Sequence, residues 1–136
     1  LRLDELSDRQ RSRIELFQGA LTYEDARFAG YDAAVLMEVI EHVDEARLGA
    51  LERVVFGAAR PRAVVVTTPN REYNARYPNL AGLRHRDHRF EWDRAAFERW
   101  SAVVATSYGY RATHAGVGDT DPALGAPTQL AVFTRD

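Results

Sequence analysis

Glu38, Glu41 and His42 in the stretch EVIEH stand three and four residues apart, so on a helical turn two carboxylates and an imidazole would share one face. Carboxylate oxygen and imidazole nitrogen are hard-to-borderline donors. Such a set suits Mg²⁺ or Mn²⁺, with nitrogen ligands favouring Mn²⁺. A further donor is offered by RHRDHRFEW, where His85 and His88 flank Asp87. The order is not that of the H-E-x-x-H zinc-protease helix. The competing reading of EVIEH is a solvated helix start whose acids complement the dipole. Against it stands clustering, because three of the four histidines of the chain fall in these two segments.

The elements that must bring the two segments together can be read from the pattern. RIELFQGALTY holds a short apolar run closed by Gly19 and suits a strand followed by a loop. YDAAVLMEVI is a continuous branched apolar run, expected as a strand buried on both faces of a parallel sheet. From Asp44, the expected N-cap, Leu48, Leu51, Val54 and Val55 recur at helical spacing until Pro61. RAVVVTTPN is a second buried strand ending at Pro69 and Asn70. Residues 71–91 lack periodicity, and a connection that long is usually functional. A helix follows, capped by Asp93 and ended by Gly109, with Phe97 and Trp100 as core residues. Two late strands then form an antiparallel pair around the turn-rich GVGDTDPALGAP, with His114 as a surface or satisfied histidine. This α/β order predicts a layered sheet with its chemistry beyond the strand carboxyl ends, where the Glu38 cluster and the Pro69-Asn70 turn both fall.

Composition agrees with one ordinary globular domain: 136 residues, 46% hydrophobic and 28% charged, with a net charge of −2. No global basic field recruits nucleic acid, so such contact needs a local patch. Arg84, Arg86 and Arg89, interleaved with His85, His88, Phe90 and Trp92, form one. The arginines suit phosphate contacts, and the two aromatics suit either base stacking or anchoring to the core. The absence of cysteine excludes disulfides and thiolate zinc sites and fits a cytoplasmic setting. The charged opening from Leu1 reads as the end of a helix.

EVIEH, LERVVF, TTPNREYN and RHRDHRFEW, in that order between about Arg13 and Trp100, resemble the RNA 3′-terminal ribose 2′-O-methyltransferases, most closely their bacterial branch. These S-adenosylmethionine enzymes cap small RNAs and, in bacteria, repaired RNA ends. The resemblance implies a metal held by Glu38, Glu41, His42 and His88, with His85 as the neighbouring alternative. That metal would grip the 2′- and 3′-hydroxyls of the last nucleotide. His85 or His42 would act as base, Asn70 would contact substrate, and a polynucleotide kinase-phosphatase would be the repair partner. A cation lowers the pKa of a ribose hydroxyl, and an imidazole can take its proton.

For the fold, the resemblance implies a Rossmann-like doubly wound sheet without its first strands, residues 1–136 being the C-terminal part of a single methyltransferase domain. The glycine-rich turn and the acidic residue that hold the cofactor do not occur in this sequence. The resemblance leaves Gly19, Ala20 and Leu21 near the adenine, and Met37, Glu38 and Val39 near the methyl donor. Weak cofactor binding by this chain and an apolar sheet edge are therefore expected. A metal-dependent hydrolase and a non-catalytic RNA-binding fragment are the alternatives. The first would turn over without a methyl donor, and the second would keep RNA affinity after Glu38→Ala or His88→Ala.

Overall fold

A computed structural model describes residues 3–136. A 3-10 turn at Leu3–Glu5 precedes helix α1 (Asp8–Arg11), which Ser7 and Gln10 open with a reciprocal capping box. This segment is thus a fresh helix start rather than the tail of an earlier helix. What was expected of Leu1 and Arg2 lies outside the described residues.

Residues 14–18, expected as a strand, carry no sheet pairing among the described residues. A strand is sustained by a neighbour's ladder, and here the chain is held by side chains instead. Phe17 stacks on Phe28 at 5.8 Å, Arg27 lies over Phe17 at 4.4 Å, and Ile14 and Leu16 stay exposed.

The sheet is built from β1 (Ala33–Met37), β2 (Ala63–Pro69), β3 (Arg111–Val117) and β4 (Thr128–Thr134), in the order β1-β2-β4-β3. β1 and β2 are parallel, with Met37 opposite Thr67. The late strands form the expected antiparallel hairpin, and β4 inserts beside β2. β1, expected to be buried on both faces, is covered on one only. Leu36 enters the core, whereas Val35 and Met37 are 59% and 67% exposed.

Helix α2 (Glu45–Glu52) continues as a π-helix over Arg53–Ala59, and Arg60 closes it in the left-handed conformation, φ 46°, just before Pro61. Asp44 precedes α2, but its side chain makes no capping bond. It faces Arg89 instead, Oδ1 to Nε 3.5 Å. Helix α3 (Arg94–Tyr108) starts as expected: Asp93 accepts the Ala96 N–H at 2.7 Å, and Gly109, φ 74°, ends it.

Leu36, Ile40, Leu51, Phe56, Val64, Val66, Phe97, Val104 and Phe133 form the core between helices and sheet. Phe56 meets Phe133 edge-on at 4.9 Å and Tyr110 at 5.4 Å. This packing fixes the carboxyl ends of β1 and β2 side by side, and the candidate site is built there.

Candidate metal and active site

The first residue beyond β1 is Glu38, held at φ 53° in the left-handed region. A non-glycine residue there costs about 1–3 kcal/mol and persists only where its surroundings over-determine it. Thr67 at the end of β2 does so. The Glu38 N–H donates to the Thr67 carbonyl and hydroxyl, each at 3.1 Å, and that hydroxyl donates to Glu38 Oε1 at 3.0 Å.

The chain then makes a 3-10 turn, Ile40–His42. Ile40 anchors it in the core and carries Glu41 inward to full burial. Glu41 Oε2 accepts from the Thr68 hydroxyl at 2.9 Å, while Oε1 has no partner although it is buried. Burial, above all, raises the pKa of this carboxyl. The backbone and Thr68 hydrogen bonds and the charge of His42 only partly oppose that, and the nearby Glu38 charge adds to it. An orphaned buried carboxylate oxygen is costly unless something positive completes it.

The long loop returns to this corner. The Arg89 N–H donates to the Glu41 carbonyl at 2.7 Å, which docks RHRDHRFEW against the turn. The rings of His88 and His42 then meet edge-on, centroids 4.8 Å apart. Ligating atoms of Glu41, His42 and His88 all lie within 4.8 Å of one another. Together with the unsatisfied Glu41 oxygen, this nitrogen and oxygen donor set fits a small divalent cation. Glu38 is outside that tight set, its Oε1 being taken by Thr67. His85 stands at the rim, more than half exposed, its ring 6.4 Å from that of His42 and its Nδ1 accepting the Asp87 N–H at 3.2 Å.

Two residues that carry the arrangement gave no separate signal in the sequence. Thr68 reads only as part of a strand-end turn. Glu91 is buried, and its Oε1 lies 2.6 Å from His88 Nδ1. It also accepts the Arg84 N–H and the Asn74 amide, each at 2.6 Å. Burial by itself would push this carboxyl up, but Asn74, His88 and the Arg84 N–H outweigh it and hold Glu91 below its ordinary value. The clue was its place three residues after His88, a spacing that lets a carboxylate reach an imidazole.

Several expected RNA contacts have partners within the protein. Arg84 donates to Asn74, to the Pro127 carbonyl and to the Asn70 carbonyl, and it lies over the Tyr77 ring at 5.2 Å. Asn70 is buried. Its Oδ1 accepts the Glu72 N–H at 3.0 Å, and its Nδ2 donates to Leu124 and Ala126 carbonyls at 2.8 and 2.9 Å. Arg86 and Arg89 reach solvent, with side chains 91% and 59% exposed. Phe90 is in the core, 4.4 Å from the Trp92 ring, and Trp92 donates to Glu45 at 2.9 Å. Of the two readings of these aromatics, the structure supports anchoring.

Of the residues expected near a cofactor, Met37, Glu38 and Val39 follow one another at the carboxyl end of β1. Leu21 lines an apolar cleft of about 330 Å³ with Phe17, Phe28, Tyr31 and β1. Gly19 backs onto Phe28, whose ring would be 3.0 Å from an added Cβ. Ala20 accepts the Tyr23 N–H in a turn beside it.

No protein-family profile matches the chain. A small RNA 2′-O-methyltransferase of Xenopus tropicalis is 38% identical over 126 residues, 90% of this chain and 34% of that protein. The chain thus spans about a third of the length of such curated relatives. Among solved structures, the methyltransferase domain of bacterial CtHen1 superposes with a TM-score of 0.85 at 52% identity, covering 96% of this chain and 67% of that one. A chain of the Pnkp1/Rnl/Hen1 RNA repair complex matches with a TM-score of 0.63 at 27% identity, over 82% of this chain and 24% of its own.

Proposed function

The chain belongs to the small RNA 2′-O-methyltransferase family that includes bacterial Hen1, and from that membership we propose that it serves methyl transfer from S-adenosylmethionine to the 2′-hydroxyl of the 3′-terminal ribose of RNA. In this reading residues 1–136 are the C-terminal part of one methyltransferase domain. The observation that carries it is the buried, unpartnered Glu41 oxygen beside His42 and His88.

Glu41, His42 and His88 would hold a divalent cation, Mg²⁺ or Mn²⁺, with Glu38 as the further ligand once its carboxylate is free of Thr67. When bound, the cation supplies Lewis acidity that stabilises the ribose alkoxide. His85, at the exposed rim, takes the proton, and His42 is its alternate in that role. Met37, Glu38 and Val39 would hold the methyl-donor end of the cofactor, and Gly19, Ala20 and Leu21 its adenine side, next to the apolar cleft. Transfer is then largely a matter of in-line positioning. Arg86 and Arg89 contact phosphates of the RNA end. Arg84 and Asn70 serve the RNA by holding the loop that presents those arginines. Recognition of two vicinal hydroxyls selects a terminal ribose over DNA and over internal nucleotides. The likeness to a chain of the repair complex supports a polynucleotide kinase-phosphatase as partner.

The test is methylation of a short RNA with free 2′- and 3′-hydroxyls, read as resistance of its end to periodate. The full-length protein with Mn²⁺ should make the RNA end periodate-resistant and should transfer labelled methyl from S-adenosylmethionine to that RNA and not to the matching 3′-deoxy RNA, and Glu41→Ala and His88→Ala should abolish both. Turnover of RNA without a methyl donor would point to a hydrolase instead.

A further inference from the structure

The buried Glu91 has no role in the reaction as described, yet three donors converge on its carboxylate. Oε1 takes the Arg84 N–H and lies 2.6 Å from His88 Nδ1, while Oε2 takes the Asn74 amide. The Glu91 side chain is wholly buried and that of His88 is 9% exposed, so water cannot substitute for either partner. We propose that Glu91 is the positioning residue of the site: it fixes His88 as the Nδ1–H tautomer and leaves the Nε2 lone pair for the cation. This inference rests on the metal site proposed above.

The chemistry admits one tautomer. An acceptor-only carboxylate facing Nδ1 requires a proton on that nitrogen, and a neutral imidazole then has its lone pair on Nε2. Outer carboxylates of this kind orient ligating histidines, and their loss typically lowers metal affinity about 10- to 100-fold. The surroundings make the carboxylate irreplaceable. A glutamine that kept its oxygen toward His88 and Arg84 would set its NH₂ against the Asn74 NH₂. Turned over, it would set NH₂ against the Arg84 N–H and favour the Nε2–H tautomer of His88. Asn74 cannot rotate to relieve this, because its Oδ1 is held by Arg84.

Three measurements on the full chain decide the matter. Long-range ¹H–¹⁵N spectra of the metal-free protein at mildly alkaline pH should report His88 as Nδ1–H, shifting toward Nε2–H in Glu91→Gln. Titration with Mn²⁺ alone should give an affinity about 10- to 100-fold weaker for Glu91→Gln. Asn74→Ala loosens the same cluster without removing the group that faces His88, so it should keep Mn²⁺ affinity within about threefold while its metal-free Tm falls at least as far as that of Glu91→Gln. An Nε2–H tautomer in the wild type, or equal Mn²⁺ affinity of Glu91→Gln and wild type, overturns the proposal. So does equal loss of affinity in Glu91→Gln and Asn74→Ala, which would reduce Glu91 to a brace. If the wild type binds no Mn²⁺, the metal site itself is wrong, and the tautomer spectra still decide whether Glu91 sets the imidazole.

Discussion

Glu41 sits in tension with its surroundings. One oxygen is satisfied by Thr68, the other is sealed from solvent with nothing to accept from, and burial raises the pKa of the group. A charge kept in such a place destabilises the metal-free protein. Glu41→Gln should therefore leave the Tm in EDTA unchanged or higher, while Mn²⁺ affinity falls by more than the roughly 100-fold typical of losing an outer partner. A clear drop in Tm in EDTA would mean that the carboxylate has a stabilising role that its hydrogen bonds do not account for. Thr68 is the local test of the same geometry. Thr68→Val removes the hydroxyl that aims the carboxylate while keeping the shape of the side chain, and it should weaken Mn²⁺ binding without affecting His88. Mn²⁺ titration of the Val variant with unaltered affinity would argue that the backbone turn alone aims Glu41.

The elements behind the site are held by caps and by ion pairs such as that of Glu72 with Arg94. Helix α3 supplies Phe97 to the core and Trp100, which donates to Glu52 at 2.8 Å, so its first turn matters to everything packed on it. Loss of its cap in Asp93→Ala should cost about 1 kcal/mol, lowering Tm by a few degrees with no change in Mn²⁺ affinity. Glu72, in the turn after β2, accepts from the Arg94 side chain at 2.7 Å. The Arg94 hydrogen bond, ahead of the opposing effect of burial, holds the Glu72 carboxyl below its ordinary 4.5. A depressed carboxylate contributes stability above its unfolded value and loses it as the pH falls through the folded one. Melting curves over roughly pH 3 to 6 should therefore slope less in Glu72→Gln than in the wild type. The difference will be small because both side chains are partly exposed. Parallel curves would remove the pair from the account.

On the scale of the molecule, the sheet has an edge strand at each side, β1 and β3. Among the described residues β1 pairs only with β2, and it is the edge strand that carries large exposed apolar side chains, Val35 and Met37, on one face. Tyr31, which lines the same cleft as β1, adds exposed apolar surface. Edges of this kind pair with other chains unless covered or charged. The 136-residue chain should self-associate with rising concentration, and the double variant Val35→Lys, Met37→Lys should stay monomeric in light scattering. Equal association of both would place the contact elsewhere. The same surface bears on the cofactor. S-adenosylhomocysteine should raise the Tm of the 136-residue chain little, and a shift of several degrees would mean that these residues form a sufficient pocket alone.

Much of this was legible in the linear chain. Branched apolar runs, caps and the glycine stop marked β1, β2 and α3, because hydrophobic period and local hydrogen bonding are properties of neighbours in sequence. The acidic corner and the histidine loop were marked by residue type. Residues 14–18 misled because pairing is not local: an apolar run becomes a strand only when another strand lies alongside. The exposed face of β1 was hidden because coverage of a sheet face depends on what packs across it, which is not a local property either. Roles inside RHRDHRFEW could not be divided by type either, since Arg84, Arg86 and Arg89 are chemically alike and only folding decides which guanidinium is spent on carbonyls and which reaches solvent. The sequence determined which donors the molecule owns. Tertiary structure decided that Glu41 is left one partner short and that Glu91 stands behind His88, because burial and convergence across dozens of residues exist only once the chain has closed on itself.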